Sequence, residues 1–240
     1  MATKAILAIE GPSIRWPSID FSIECTDQKS WFTICGRHIV MQPASIRGTH
    51  TVQTAATIWD CSIVMAKWIE SQSVKISGRV LELGAGRGLV SMACRSLGCS
   101  ISATDMPEAL EILQETFNVN DFKDIAVAPL DWKDSKSPLF EKRFDYIVAA
   151  DVVWVHELIA PLVSTLARMH IFTIGLVSGD TIAFVAHQSR SQRSDNEFFS
   201  SLQKNNLSWI ALNLGDTIYQ KPSCQILHIT LKLDSSPTAA

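Results

Sequence analysis

The sequence has no apolar run near the ~20 residues that a membrane-spanning helix needs. Met1 to Ser13 hold a short apolar patch but no long hydrophobic region with a cleavage-site pattern, so a secretory signal is not expected. There is no CxxC pair, and the histidines are not clustered with the six cysteines. A zinc site is therefore unsupported, and no metal ligands are assigned. No strong excess of one charge exists either: 21 Lys and Arg stand against 24 Asp and Glu, for a net charge of −3. Without a broad basic field, nucleic acid is not expected as a partner. Internal repeats and low-complexity stretches are lacking as well.

What is present describes a globular chain. Of its 240 residues, 47% are hydrophobic and 19% charged, which is not the composition of a disordered protein. That length allows one large domain or two small ones, with a sizeable core in either case. Cysteines at 25, 35, 61, 94, 99 and 224 are scattered, as buried thiols of a reducing compartment are. A cytoplasmic protein is the expectation, with the nucleus also open. No membrane association is expected, and a monomer is.

The first fifty residues read as β. Phe21–Cys25, Trp31–Cys35 and His38–Gln42 suggest a small antiparallel unit with a turn near Gly36. Residues 55 to 70 change period: Ile58, Trp59, Ser62, Ile63, Ala66, Trp68 and Ile69 share one broad helical face. From Val80 onward strands and helices alternate. Strands are expected at 80–83, 100–105, 125–130, 144–151, 181–186, 207–212 and 225–233, with helices at 89–97, 107–118, 158–169 and 197–204. Such alternation means an α/β fold: a Rossmann-like, mostly parallel seven-stranded sheet with helices on both faces. The last two strands are close in sequence, so an antiparallel strand is expected at that end. The organisation is thus a β-rich extension over 1–50, a main domain over 51–233 and a flexible tail over 234–240.

Ligands of such sheets bind outside the carboxyl ends of the strands. The turns that matter follow Leu83, Thr104, Leu130 and Ala150. The first is Glu82-Leu-Gly-Ala-Gly-Arg-Gly88. Its glycines permit a tight turn and close approach to a ligand, and the following helix aims its N-terminal amides at the same place. A dinucleotide fingerprint, GxGxxG, would need glycine where Leu89 stands. The spacing here is GxGxG, usual in S-adenosylmethionine-dependent methyltransferases. Asp105 ends the next strand, where a carboxylate accepts hydrogen bonds from ribose hydroxyls in either cofactor class.

Several segments together carry a family resemblance. They are Thr57–Lys67 around Trp59-Asp60, Val80–Val90, Leu130-Asp-Trp132, Phe144–Trp154 and Ser194-Asp-Asn-Glu-Phe-Phe199. In that order they resemble the seven-β-strand protein-lysine methyltransferases of the methyltransferase-like 21 type, also called methyltransferase family 16. The resemblance covers most of residues 50 to 233. It implies S-adenosylmethionine as cofactor and a protein presenting a lysine as partner. Cofactor contacts are implied at Trp59, the Glu82 motif with Gly84, Ala85 and Gly86, Asp105, Trp132 and Ala150. A core aromatic is the plainer reading of Trp59, and a surface-covering one of Trp132.

On the acceptor side the resemblance implies Asp151 and Trp154. The family's Asp-x-x-Tyr motif reads Asp151-Val-Val-Trp154 here. Trp154 offers an apolar or cation–π wall but no phenolic hydroxyl. Asp151 is expected to accept an N–H bond, aim the lone pair and stabilise charge growing on nitrogen; a cap on the next segment is the alternative. His156 and Glu157 either rim the entrance or are solvated loop residues. The competing functions are methylation of a small amine or of another side chain such as histidine, and a non-catalytic binding protein with the same fold.

Overall fold

A computed structural model of the chain describes residues 30–41, 50–71, 76–171, 181–214 and 224–231. The expected strand at Phe21–Cys25 and the tail over 234–240 lie outside the described residues.

Strands β1 (Ser30–Ile34) and β2 (Arg37–Met41) form an antiparallel hairpin. Its two-residue turn is Cys35-Gly36, and both have positive φ, 50° and 72°, the twist that suits a tight hairpin. The hairpin leans on the main domain through its free backbone edge. Cys35 N–H donates to Glu70 Oε1 at 2.7 Å, and Val40 exchanges two bonds with the Asn120 side chain.

Helices α1 (His50–Ala55) and α2 (Asp60–Ser71) follow. One helix over 55–70 was expected from the apolar period, but the chain breaks before Asp60. Thr57 Oγ1 and Trp59 Nε1 donate to the Gln53 and Thr54 carbonyls at the end of α1. Side chains thereby satisfy carbonyls that a continuing helix would use.

The alternating region contains β3 (Arg79–Leu83), α3 (Leu89–Ser96), β4 (Ser100–Asp105), α4 (Leu110–Val119), β5 (Ala126–Pro129), β6 (Tyr146–Ala150) and α5 (His156–Ile171). It ends with β7 (Ile182–Gln188), α6 (Gln192–Lys204), β8 (Leu207–Ala211) and β9 (Cys224–Leu231). The sheet order is β5-β4-β3-β6-β7-β9-β8. Pairings among β3 to β7 are parallel, and β9 runs antiparallel to both β7 and β8. The expected seven-stranded sheet and its antiparallel strand are both present.

Successive side chains along the central strands point to opposite faces and divide the core into two layers. On one face Val80, Ile101, Val148 and Ile226 meet α2, α3 and α4 through Met65, Met92 and Phe117. On the other, Leu81, Ile147, Val185 and Leu227 meet α5 and α6 through Leu162, Leu166 and Phe198. Central strands covered on both faces are the reason their sequences read as continuous apolar runs. The strand order reverses between β3 and β6, which opens a crevice at their carboxyl ends.

Candidate active site

The crevice holds a cavity of about 340 Å³, within the range of roughly 300–1,000 Å³ usual for small-molecule sites. Its floor is the glycine turn after β3, its sides the chain after β4, β5 and β6, and its front the α1–α2 junction. Trp59, Gly84, Ala85, Gly86, Asp105, Trp132, Ala150, Asp151 and Trp154 all line it. Four strand ends and a helix junction therefore bring the expected residues to one place.

Glu82 is the exception. It sits one pleat below the turn, 2% exposed, with its carboxylate bonded by Ser91 of α3. Burial pushes its pKa up to about 8, and the nearby Asp105 charge adds to the rise. Its place is in the sheet-to-helix layer under the glycine turn, away from the cavity wall. His156 and Glu157, read above as rim or loop residues, open helix α5.

Gly84 shows why the turn needs glycine. Its φ is +67°, and a Cβ there would lie 2.9 Å from Val152 Cγ1 and 3.4 Å from the Trp132 ring. The missing side chain lets the segments after β5 and β6 close beside the turn.

Asp105 closes the floor. Its Oδ2 accepts from Gly86 N–H at 2.8 Å and its Oδ1 from Met106 N–H at 2.7 Å. Burial raises its pKa, and these two amides oppose the rise. An ionised carboxylate has about four acceptor directions, so both oxygens can still receive hydroxyl donors from a ligand. The α1–α2 junction places Trp59 across the cavity, its indole fixed by the bond to Thr54. Trp154 stacks near it, with ring centroids 6.5 Å apart and an interplanar angle of 26°. Its 36% exposure leaves an indole at the mouth.

Asp151 lies one residue past β6, with φ of +58° and its N–H donated to Ala186 O at 3.0 Å. The left-handed backbone is costly for a non-glycine residue, and here it turns a carboxylate away from the strand line into the crevice. That side chain is 3% exposed. Both its oxygens are held by Arg190: Nε reaches Oδ1 at 3.1 Å, and Nη2 bonds Oδ2. Arg190 also lies over the Trp59 ring, 5.3 Å from its centroid. The bonds to Asp151 push the guanidinium pKa further up.

Arg190 was not among the expected site residues. The turns singled out in the sequence followed β3, β4, β5 and β6; the one after β7 was passed over. Since β6 and β7 are parallel neighbours, with Ala150 opposite Ala186, their following loops must open on the same crevice. That adjacency was the available signal. The loop is anchored by Asp195 of α6, which bonds His187 at 3.1 Å and also Ser189, while Ser191 caps α6.

The profile of the lysine methyltransferase family matches residues 42–205. The chain belongs to the lysine methyltransferase family. It is accordingly an S-adenosylmethionine-dependent methyltransferase, and the expected family, fold and cofactor are borne out. Among relatives, it is 33% identical to "Protein N-lysine methyltransferase METTL21A" of Danio rerio over 157 residues, 62% of this chain and 67% of the other. It is 28% identical to "EEF1A lysine methyltransferase 3" of Xenopus tropicalis over 151 residues, 62% and 64% of the two chains. The fold is similar to that of a TehB-like SAM-dependent methyltransferase from Corynebacterium glutamicum, with TM-score 0.52, 18% identity and coverage of 73% and 89%. It is also similar to that of magnesium protoporphyrin IX methyltransferase from Synechocystis PCC 6803, with TM-score 0.52, 14% identity and coverage of 77% and 86%.

The lysine methyltransferase cavity fits its cofactor on the observations above. The Gly84 cradle would be filled by a Cβ, and Asp105 keeps acceptor directions open beside it.

Proposed function

We propose that the chain methylates a lysine side chain of a protein substrate, with the cavity at the strand ends as its site. Gly84, Ala85, Gly86 and Asp105 would hold the cofactor's amino-acid and ribose portions, Trp132 would flank its adenine, and Ala150 leaves room beside them. When bound, the cofactor supplies a methyl group on a positively charged sulfur.

The chain's own residues do the rest. Trp59 and Trp154 wall the acceptor path with two indoles, which exclude water and can face an alkyl-ammonium. Asp151 accepts an N–H from the incoming nitrogen and fixes the direction of its lone pair. As nitrogen gains charge, the fixed carboxylate stabilises it without reorganisation. The observation that carries this reading is the convergence of the two indoles and a buried carboxylate on the cavity that the glycine turn and Asp105 line. The relatives named as lysine methyltransferases support a protein acceptor, one of them named for EEF1A. A monomer and a cytoplasmic location remain part of the proposal.

The test is labelled-methyl transfer from S-adenosylmethionine into a whole-cell extract, with wild type beside Asp151→Ala. A discrete labelled protein band that the variant loses is the expected result. An equal band from the variant would remove Asp151 from the mechanism. Label confined to the small-molecule fraction would make the acceptor a small amine.

A further inference from the structure

The Asp151 carboxylate poses a problem for the reaction it serves. Methyl transfer consumes a neutral amine, whose lone pair forms the N–CH3 bond while the S–CH3 bond breaks and leaves its electron pair on sulfur. The lysine must first lose a proton to solvent, and near neutral pH only about one lysine in a thousand has done so. A lone buried carboxylate beside it would favour the ammonium and make the free amine rarer still. Arg190 occupies that carboxylate with both arms of its guanidinium.

We infer that Arg190 is a positioning residue that aims Asp151 and offsets part of its charge, so that the acceptor lysine enters as free amine rather than as a trapped ammonium. The inference rests on Asp151 being the acceptor-side group. Two of the carboxylate's roughly four acceptor directions are used by Arg190, so the remaining ones still take an N–H from the substrate. Geometry fixes the arrangement: the Arg190 side chain is held between the Asp151 carboxylate and the Trp59 face, on a loop tied down by Asp195. A guanidinium suits the role because its planar fork matches a carboxylate and stays charged at any working pH.

Other charges face the pair from every side. Asp60 at the start of α2 and the Cys61 and Cys224 thiols act on Arg190 or Asp151 electrostatically. His187 on β7 is kept neutral to lower pH by burial, against the pull of Asp195. Asp105, Arg87, Asp131 and Lys133 lie on the far walls of the cavity. Arg190 itself draws the pKa values of His187, Cys61 and Cys224 down, so the Asp151→Asn background separates its action on the carboxylate from its action on them.

The first readout needs no turnover. Butylammonium chloride, a lysine-tip mimic, is titrated into the full chain and followed by tryptophan emission. Arg190→Ala uncovers the carboxylate and is expected to bind the cation about tenfold more tightly than wild type. Adding Asp151→Asn to that variant is expected to abolish the gain. The second readout is the initial rate of labelled-methyl transfer at saturating whole-cell extract, where the rate reports the bound lysine, measured from about pH 6.5 to about pH 9.5. Arg190→Ala is expected to lower the rate at neutral pH and move the rising limb about one unit more alkaline. Arg190→Lys keeps the charge but loses the fork, and is expected to restore the wild-type midpoint at a reduced rate. Tryptophan quenching by S-adenosylmethionine checks that each variant is folded. Arg190→Ala with wild-type cation affinity and a wild-type midpoint would overturn the inference. If Asp151→Asn alone kept full transfer, the acceptor reading itself would fall; if it were inactive while Arg190→Ala behaved as wild type, only the role of Arg190 would.

Discussion

Substitution of Glu82 by Gln gives the sharpest test of the electrostatics beneath the glycine turn. Glu82 stands on the central strand β3, 2% exposed, with Ser91 bonded to its carboxylate. Its pKa is raised from 4.5 to about 8, first by burial and then by repulsion from Asp105. In the unfolded chain the same group ionises near its ordinary value. Between those two values the folded state keeps a proton that the unfolded state releases. Stability from this group is therefore complete below about pH 4.5 and is lost as pH rises through about 8. The whole separation corresponds to about 5 kcal/mol, of which about 3 falls between about pH 5.5 and about pH 8. For a chain of this length that is a fall in Tm of roughly 6–12 °C. Glu82→Gln preserves shape and hydrogen bonding but cannot ionise, so it removes this slope. His187, whose pKa is lowered, contributes with the opposite sign below its ordinary value, and it does so equally in both proteins. The assay is thermal unfolding by circular dichroism over that pH range at constant ionic strength. Wild type should lose its advantage over, or fall below, Glu82→Gln as pH rises. Parallel curves would refute the account of a protonated acid under the turn.

Two further substitutions follow from geometry. Gly88 has φ +72°, and a Cβ there would lie 2.3 Å from Phe117 Cε1 and 2.7 Å from Leu113 Cδ1. Gly88→Ala combines left-handed strain with overpacking, and a loss of about 2–4 kcal/mol in urea unfolding is expected. Asp105→Asn keeps the size of the side chain but presents an NH2 to Gly86 or Met106 N–H, or turns it toward the ligand. S-adenosylmethionine affinity, measured by calorimetry, should fall about tenfold or more, with less effect on Tm.

The sheet was legible in the sequence because each element carried its own period and punctuation. Val80-Leu-Glu-Leu83 runs into three glycines, and Pro107 marks the turn that begins the helical segment after β4. Gly36 marked the hairpin, and the family segments marked the cavity walls. Where the reading fell short, the deciding contact was distant or the local pattern was silent. β3 is buried on both faces, so its alternation could not say that Glu82 faces α3 rather than the ligand. The α1–α2 break depends on hydrogen bonds from Thr57 and Trp59 back to α1 carbonyls, which no hydrophobic period records. Arg190 meets Asp151 across 39 residues of chain; only the pairing of β6 with β7 makes them neighbours.

The most direct measurement of lysine methylation by this site identifies the side chain that carries the new methyl. The full chain is incubated with S-adenosylmethionine bearing a heavy methyl group and a whole-cell extract, and the labelled protein is digested and sequenced by tandem mass spectrometry. The account predicts heavy methyl on a lysine Nζ, absent when Asp151→Ala replaces wild type. Heavy methyl on histidine, or on a small amine with none on protein lysine, would contradict it.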